Sequence, residues 1–279
     1  MIAWLGTGLL GANFVRALRK RGEEVRLWNR THAKAQALAE EVGAQAFADP
    51  AEAVRGATRI HITVSADDAV DDVLERARPG VAAGAFIIDH TTTSPPLTRE
   101  RVKRWDERGA KFLHAPVMMG PPNALNGTGT MMVSGEKLRF DAVADKLKLM
   151  TGNLVYVGAE PDRAAAFKLM GNMTVMSLTI GIMEALRLGR GLGLSQDEAA
   201  TMFDWLQLDG QAQFRLKRIM EADFDHPYWE LHMARKDIRL MMEGSNGLLA
   251  MPGVAAAMDR WIAAGHAHRD WLIISKDGP

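Results

Sequence analysis

The sequence predicts an α/β protein: a doubly wound, mostly parallel sheet, followed by an all-α region and joined to it by a long helix. Short apolar runs alternate with helical patterns up to about residue 158. Such alternation builds parallel strands linked by right-handed crossovers. Beyond Gly158 no convincing strand pattern recurs, and residues 164–190 carry apolar side chains at helical spacing throughout. At roughly 100–200 residues per domain, the 279-residue chain has room for two. The boundary is expected near residues 158–163, giving domains 1–160 and 161–279, with Pro161 and Asp162 as the start signal of the long helix.

Ile2 to Leu5 is the first expected strand, Asn13 to Arg21 a helix, and Glu24 to Trp28 the second strand. Ala33 to Val42 alternates alanine and leucine with lysine, glutamine and glutamate at helical spacing. Arg59–Val64, Ala85–Asp89, Lys111–Val117, Thr130–Ser134 and Leu154–Val157 are β-rich runs bounded by turn residues. The later helices are expected over 196–206, 211–222, 231–243 and 254–264. Leu169 to Met183 lacks charge but is shorter than a bilayer span and contains Asn172, Thr174, Ser177 and Thr179. It reads as a buried core helix. No internal repeat, low-complexity tract or long linker interrupts the chain.

Lysine plus arginine and aspartate plus glutamate both number 34, so formal net charge is zero. That balance gives no electrostatic reason to expect a nucleic acid or an anionic membrane as partner. With no cysteine, disulfides, thiolate catalysis and cysteine-ligated zinc are excluded, and a reducing cytoplasm is the expected location. Residues 1–15 are uncharged, but three glycines interrupt them and no basic run precedes them, so they are expected to be strand and turn rather than a leader.

Gly6-Thr7-Gly8-Leu9-Leu10-Gly11 follows the first strand and opens the first helix. The first glycine permits a tight turn, the second lets backbone approach a pyrophosphate, and the third lets helix and strand pack closely. The helix N-terminus then offers N–H groups and a positive dipole end to the phosphates. In this strand–turn–helix setting the pattern is a dinucleotide-binding turn of the Rossmann type, with Gly6, Gly8, Leu9, Leu10 and Gly11 as cofactor contacts. The second strand ends in Trp28-Asn29-Arg30-Thr31. An NAD-preferring site places Asp or Glu there to hold the ribose 2′-hydroxyl; Arg30 instead pairs with a 2′-phosphate, and Asn29 and Thr31 add hydrogen-bonding groups. NADPH is therefore the expected cofactor.

Lys168 and Asn172, four apart, share one face of the long helix. Lys168 is the only ionisable residue between Arg163 and Glu184. Hydride delivery to a carbonyl carbon leaves negative charge on oxygen, which a nearby ammonium stabilises and protonates. The competing reading is a lysine snorkelling from a buried helix. His61 lies in an apolar strand pattern and is expected in the core. His90 and His114 sit near strand ends, where either a pocket or a core position is open to them. His226, His266 and His268 form no convincing metal-ligand constellation, and no metal site is expected.

With these motifs in hand, the chain resembles the β-hydroxyacid dehydrogenases, which include 3-hydroxyisobutyrate dehydrogenases, glyoxylate/succinic semialdehyde reductases and the amino-terminal part of 6-phosphogluconate dehydrogenases. Asp89-His90-Thr91-Thr92-Thr93-Ser94-Pro95 is similar to the family's Asp-x-Ser/Thr-Thr-x-x-Pro segment beside the nicotinamide. The resemblance implies that Thr92 touches cofactor and Thr91 substrate. The same resemblance implies that Ser65, after the Arg59–Val64 strand, lies in the loop that passes near the nicotinamide ribose and makes a backbone contact there. Ala115-Pro116-Val117-Met118-Met119-Gly120 matches the substrate-binding segment, making Met118, Met119 and Gly120 substrate contacts. It departs from the family by carrying His114 where Asp is usual and Met118-Met119-Gly120 where Ser-Gly-Gly grips a carboxylate; methionine has almost no hydrogen-bonding power. Lys168 matches the family's proton donor and Asn172 its substrate-positioning asparagine. Lys236-Asp237 resembles a late pair whose lysine reaches the cofactor, with Phe224, Tyr228, Trp229 and His232 as candidate pocket wall.

The function implied is NADPH-dependent reduction of a small, semialdehyde-like aldehyde or ketone, with the altered Met118 loop favouring a more apolar carbonyl or imine. Imine reductases resemble the same family, but Lys168 stands where they carry other residues. A third reading is a non-catalytic NADPH-binding sensor. The long apolar helix suggests a homodimer in which one subunit's helical domain walls the other's cleft.

Overall fold

The computed structural model describes residues 1–278. It alternates strand and helix as β1 (Ile2–Leu5), α1 (Leu9–Lys20), β2 (Val25–Trp28), α2 (His32–Val42), β3 (Gln45–Ala46), α3 (Pro50–Val54), β4 (Arg59–Ile62), α4 (Asp67–Ala77), β5 (Phe86–Asp89), α5 (Pro95–Glu107), β6 (Lys111–His114), β7 (Val117–Met118), α6 (Pro121–Asn126), β8 (Thr130–Ser134), α7 (Lys137–Lys148) and β9 (Asn153–Gly158). The strands form one sheet in the order β3-β2-β1-β4-β5-β6-β8-β7, with β9 also paired to β8. From β3 to β6 every pairing is parallel. The expected doubly wound sheet is present.

Period-two alternation explains why the central strands are apolar on both sides. Ile2 and Trp4 of β1, Ile88 of β5 and Leu113 of β6 enter one core with Phe14 and Leu18 of α1. Their neighbours Ala3, Leu5, Ile87 and Phe112 enter the other, with Val70, Val73 and Leu74 of α4 and Trp105 of α5. A strand covered on both faces reads as an unbroken apolar run, and each large side chain so buried contributes about 1.5–3 kcal/mol.

The run expected as one strand over Lys111–Val117 is two. His114 pairs in parallel with Asp89, then Pro116, which has no N–H to give, breaks the ladder. The chain resumes as β7, antiparallel to β8, and Met132 N–H donates to Pro116 O at 3.0 Å.

The remaining elements are α8 (Arg163–Gly191), α9 (Gln196–Ala200), α10 (Met202–Trp205), α11 (Leu208–Glu221), α12 (Leu231–Gly244) and α13 (Met251–Ala263), with a 3-10 turn at Trp271–Ser275. The single helix expected over 196–206 breaks at Thr201. The chain divides into two compact units, one over Met1–Met173 and one from Thr174 onward. The division falls inside α8, so Lys168 and Asn172 belong with the sheet. The second unit has its own core of Phe224, Leu231, Ile238, Met258, Trp261 and Ile273. In it the buried carboxylate of Glu184 accepts from the N–H groups of Leu249 and Ala250, just ahead of α13.

The expectation of a buried helix over Leu169–Met183 is corrected. Met173 is 63% exposed, Val175 54% and Met176 64%. The helix is long and apolar enough to cross a bilayer by length and composition. Apolar composition signals a need for cover; it does not say which molecule supplies it.

Candidate active site

The carboxyl ends of β1, β2, β4 and β5 open onto a groove of about 650 Å³. Gly6 through Leu10, Trp28 through Thr31, Lys34, Thr63, Val64, Ser65, Asp68, Asp72, His90, Thr91 and Thr92 line it. Ligands of open α/β sheets bind beyond these strand ends.

The glycines explain the turn. Gly6 sits at φ +100°, and a Cβ there would lie 2.1 Å from Thr63 O. A Cβ on Gly11 would lie 2.2 Å from Gly6 O and 2.9 Å from Trp4 Nε1, so only hydrogen lets α1 approach β1 this closely. A Cβ on Gly8 would meet nothing within 4 Å, leaving backbone open to a ligand. No side chain caps α1 and no acidic residue occupies its first turn, so its positive end is free to meet phosphate. The hydroxyls of Thr7 and Thr63 are buried in the groove wall without a partner among the described residues. Unpartnered polar atoms in a groove wall are available to a ligand or to water, and this cradle fits a dinucleotide.

Arg30 and Lys34 line the groove exposed, and among the described residues neither has a carboxylate partner. Asn29 is a strut: its Oδ1 accepts from Thr7 N–H at 3.1 Å and its Nδ2 donates to Thr31 O at 3.0 Å. Thr91 is likewise internal. It is buried, its Oγ1 accepts from Val64 N–H at 3.2 Å, and its N–H donates to Asp89 Oδ1 at 2.9 Å. Thr92 is exposed in the groove.

Beneath the groove lies a buried aromatic stack. Trp4 stacks on His61 with ring centroids 5.0 Å apart, and His61 on His90 at 5.2 Å. His90 Nδ1–H donates to Ala115 O at 2.7 Å. Burial favours the neutral form of both rings, and with both neutral its Nε2 accepts from His61 Nδ1–H at 2.9 Å. Burial pushes His90 down to about 4 and His61 well below the ordinary histidine value. His61 is in the core as expected; His90 reaches the groove wall. His114 is fully buried, with Nδ1 3.7 Å from Asp89 Oδ2. Burial alone would raise Asp89, but His114 and the Thr91 N–H hold it below the ordinary carboxylate value.

A second cluster forms beyond β6. Lys168 Nζ, half-buried, lies 3.5 Å from Met118 Sδ. Loss of water pulls its pKa below the ordinary lysine value, and among the described residues no carboxylate pairs with it. Asn172 follows one turn later, half-buried. Between them Gly171 makes room for Met118, whose Sδ would lie 3.2 Å from a Cβ there. Met119 packs on Gly129, and Gly120 N–H donates to Asn123 Oδ1 at 2.9 Å, capping α6.

Of the expected cofactor residues of the first unit, all but Gly11 line the groove; Gly11 is instead buried where α1 meets β1. Lys168 meets Met118 beyond β6, with Asn172 one turn further along α8. Lys236 lies on α12 in the second unit, ion-paired to Asp237 at 2.7 Å. Sequence reasoning missed Lys34, Asp68, Asp72 and Thr7. Lys34 was within reach: a helix beginning directly after Thr31 returns its third residue to the loop.

The fold and groove define a dinucleotide-binding α/β protein. Comparison makes this specific. Residues 1–158 match the NAD binding domain of 6-phosphogluconate dehydrogenase, and the chain belongs to that family of NAD(P)-dependent oxidoreductases. An uncharacterized oxidoreductase from Shewanella frigidimarina is 26% identical over 265 residues, 93% of this chain and 90% of that protein. The mitochondrial 3-hydroxyisobutyrate dehydrogenase of Drosophila melanogaster is 30% identical over 205 residues, 73% of this chain and 62% of the fly protein. Among solved structures, an imine reductase from Myxococcus stipitatus in complex with NADP+ matches with a TM-score of 0.89 at 20% identity, covering 99% of this chain and 98% of that one. A reductive aminase from Aspergillus terreus in complex with NADPH and ethyl levulinate matches at 0.87 and 22% identity, covering 98% and 97%. At such identities the likeness speaks to the fold.

Proposed function

We propose that this chain is an NADPH-dependent reductase of the β-hydroxyacid dehydrogenase type, acting on a small aldehyde or ketone, with Lys168 as proton donor. The observation that carries the reading is the half-buried Lys168 ammonium held against the Met118 thioether, with no carboxylate partner among the described residues. Gly6, Gly8 and the start of α1 would hold the pyrophosphate, and Arg30 with Lys34 the 2′-phosphate. The bound cofactor supplies a hydride. Lys168 Nζ holds the proton that passes to the carbonyl oxygen as negative charge develops there, and Asn172 orients the substrate. In the reverse direction neutral Lys168 takes the alcohol proton.

Met118 and Met119 stand where the related enzymes place carboxylate-gripping residues. A thioether offers deformable apolar volume and little hydrogen bonding, so uncharged carbonyls are the favoured substrates. NADPH oxidation over a panel of semialdehydes and uncharged aldehydes and ketones tests this. Turnover concentrated on the uncharged members supports it; strict preference for a carboxylate-bearing semialdehyde contradicts it. Binding of NADPH without turnover on any compound would favour a sensor instead.

Reduction of C=N is the second reading. It is favoured by the apolar character of Met118, on a fold shared with an imine reductase and a reductive aminase. The bare face of α8 at Val175, Met176 and Leu178 is proposed as the contact between two copies of the chain. A sedimentation measurement showing a monomer at micromolar concentration would remove that proposal.

A further inference from the structure

We propose that Glu230, His232 and His268, in the helical unit, form a binding site for a divalent ion of the zinc class. Glu230 immediately precedes α12, His232 is in its first turn, and His268 lies in the loop before the 3-10 turn at Trp271–Ser275. Backbone pairing pins the two segments together. Leu231 N–H donates to Arg269 O at 2.8 Å, His232 N–H to Ala267 O at 3.0 Å, and Trp271 N–H to Trp229 O at 2.9 Å.

The side chains already stand close to ligand spacing. Glu230 Oε2 is 3.3 Å from His232 Nδ1 and 3.6 Å from His268 Nδ1. One ligand atom from each of the three residues lies within 4.8 Å of the others. A tetrahedral ion with bonds of about 2.0–2.1 Å sets its ligands about 3.3 Å apart. The His268 side chain is 82% exposed and packs edge-on against the His232 ring, with centroids 4.9 Å apart, so its adjustment needs no rearrangement of the core. Without an ion, His232 Nδ1–H donates to Ala267 O at 3.0 Å, a hydrogen bond that the ion would replace.

The charges around the carboxylate favour a cation. Glu230 has only the two imidazoles as ionic partners among the described residues. The neighbouring arginines are committed elsewhere, Arg269 to Asp225 at 2.5 Å and Arg235 to Asp259 at 2.8 Å. Two imidazoles and one carboxylate suit zinc, whereas calcium and magnesium take oxygen sets. Binding through His232 Nδ1 moves that ring's proton to Nε2, and the ion then ties the first turn of α12 to the loop carrying His268.

The test is zinc titration of the full chain after chelator treatment, read by competition with a chromophoric chelator and by melting temperature. One equivalent is expected to bind per chain and raise the melting temperature. His268→Ala and Glu230→Gln each weaken binding by more than about tenfold, and His266→Ala, outside the set, leaves it unchanged. Far-ultraviolet circular dichroism confirms that each variant folds. No stoichiometric binding, or equal affinity in all three variants, would overturn the proposal.

Discussion

The thioether sulfur of Met118 lies 3.5 Å from the ammonium nitrogen of Lys168, across fifty residues of chain. A sulfur is a weak acceptor, so it removes water from the lysine without replacing the lost hydrogen bonds. The lysine is consequently easier to deprotonate than in water.

A pH profile follows from that relationship. Carbonyl reduction needs the charged lysine, so its rate falls as pH rises through a pKa below the ordinary 10.5. Alcohol oxidation needs the neutral lysine and rises through the same pKa. Met118→Glu places an anion beside the ammonium and moves both limbs to higher pH. Limbs that stay in place in Met118→Glu would mean that another group titrates.

Arg30 and Lys34 are the cations that line the groove next to β2. Arg30→Ala and Lys34→Ala are each expected to raise KM for NADPH about tenfold or more, which is about 1.4 kcal/mol per factor of ten. KM for NADH should barely move. An equal loss with both cofactors would place these side chains away from the 2′-phosphate.

The His61–His90 pair makes the fold acid-sensitive. Both histidines are neutral in the folded chain and titrate near 6.5 when unfolded. The unfolded state therefore binds more protons below pH 6.5, and stability, intact above that pH, falls as pH drops toward the folded value of about 4 for His90. Urea denaturation at pH 7 and pH 4.5 should differ by at least about 2 kcal/mol. A flat response would mean that the pair is solvated.

Gly6→Ala meets Thr63 O at 2.1 Å and a left-handed backbone. It should destabilise the chain by more than about 3 kcal/mol. Gly22 is also left-handed, but a Cβ there meets nothing within 4 Å, so Gly22→Ala should cost only about 1 kcal/mol. Comparable losses in thermal melts would show that steric approach, rather than conformation alone, has been overstated at Gly6.

The parallel sheet was legible because strands covered on both faces leave unbroken apolar runs, as in Ile60 and Ile62 or Ile87 and Ile88. The break at Pro116 was not, because the change of partner from β5 to β8 is a long-range choice. The glycine turn and Arg30 were legible because each has a local chemical signature. Asp68 and Asp72 come from α4, and nothing in their own segment marks them as groove wall. The contact between Met118 and Lys168 was predicted only as two separate motifs. The exposure of α8 was misread because an apolar helix looks the same whether its own chain or another covers it.

The central claim is that Lys168 supplies the proton for carbonyl reduction. Lys168→Ala should be compared with the parent protein using one aldehyde and one preformed iminium, with NADPH binding followed by fluorescence. The expected result is intact NADPH binding, a loss of orders of magnitude in kcat on the aldehyde, and a much smaller loss on the iminium, which needs no proton donor. Undiminished aldehyde reduction in the variant would contradict the claim.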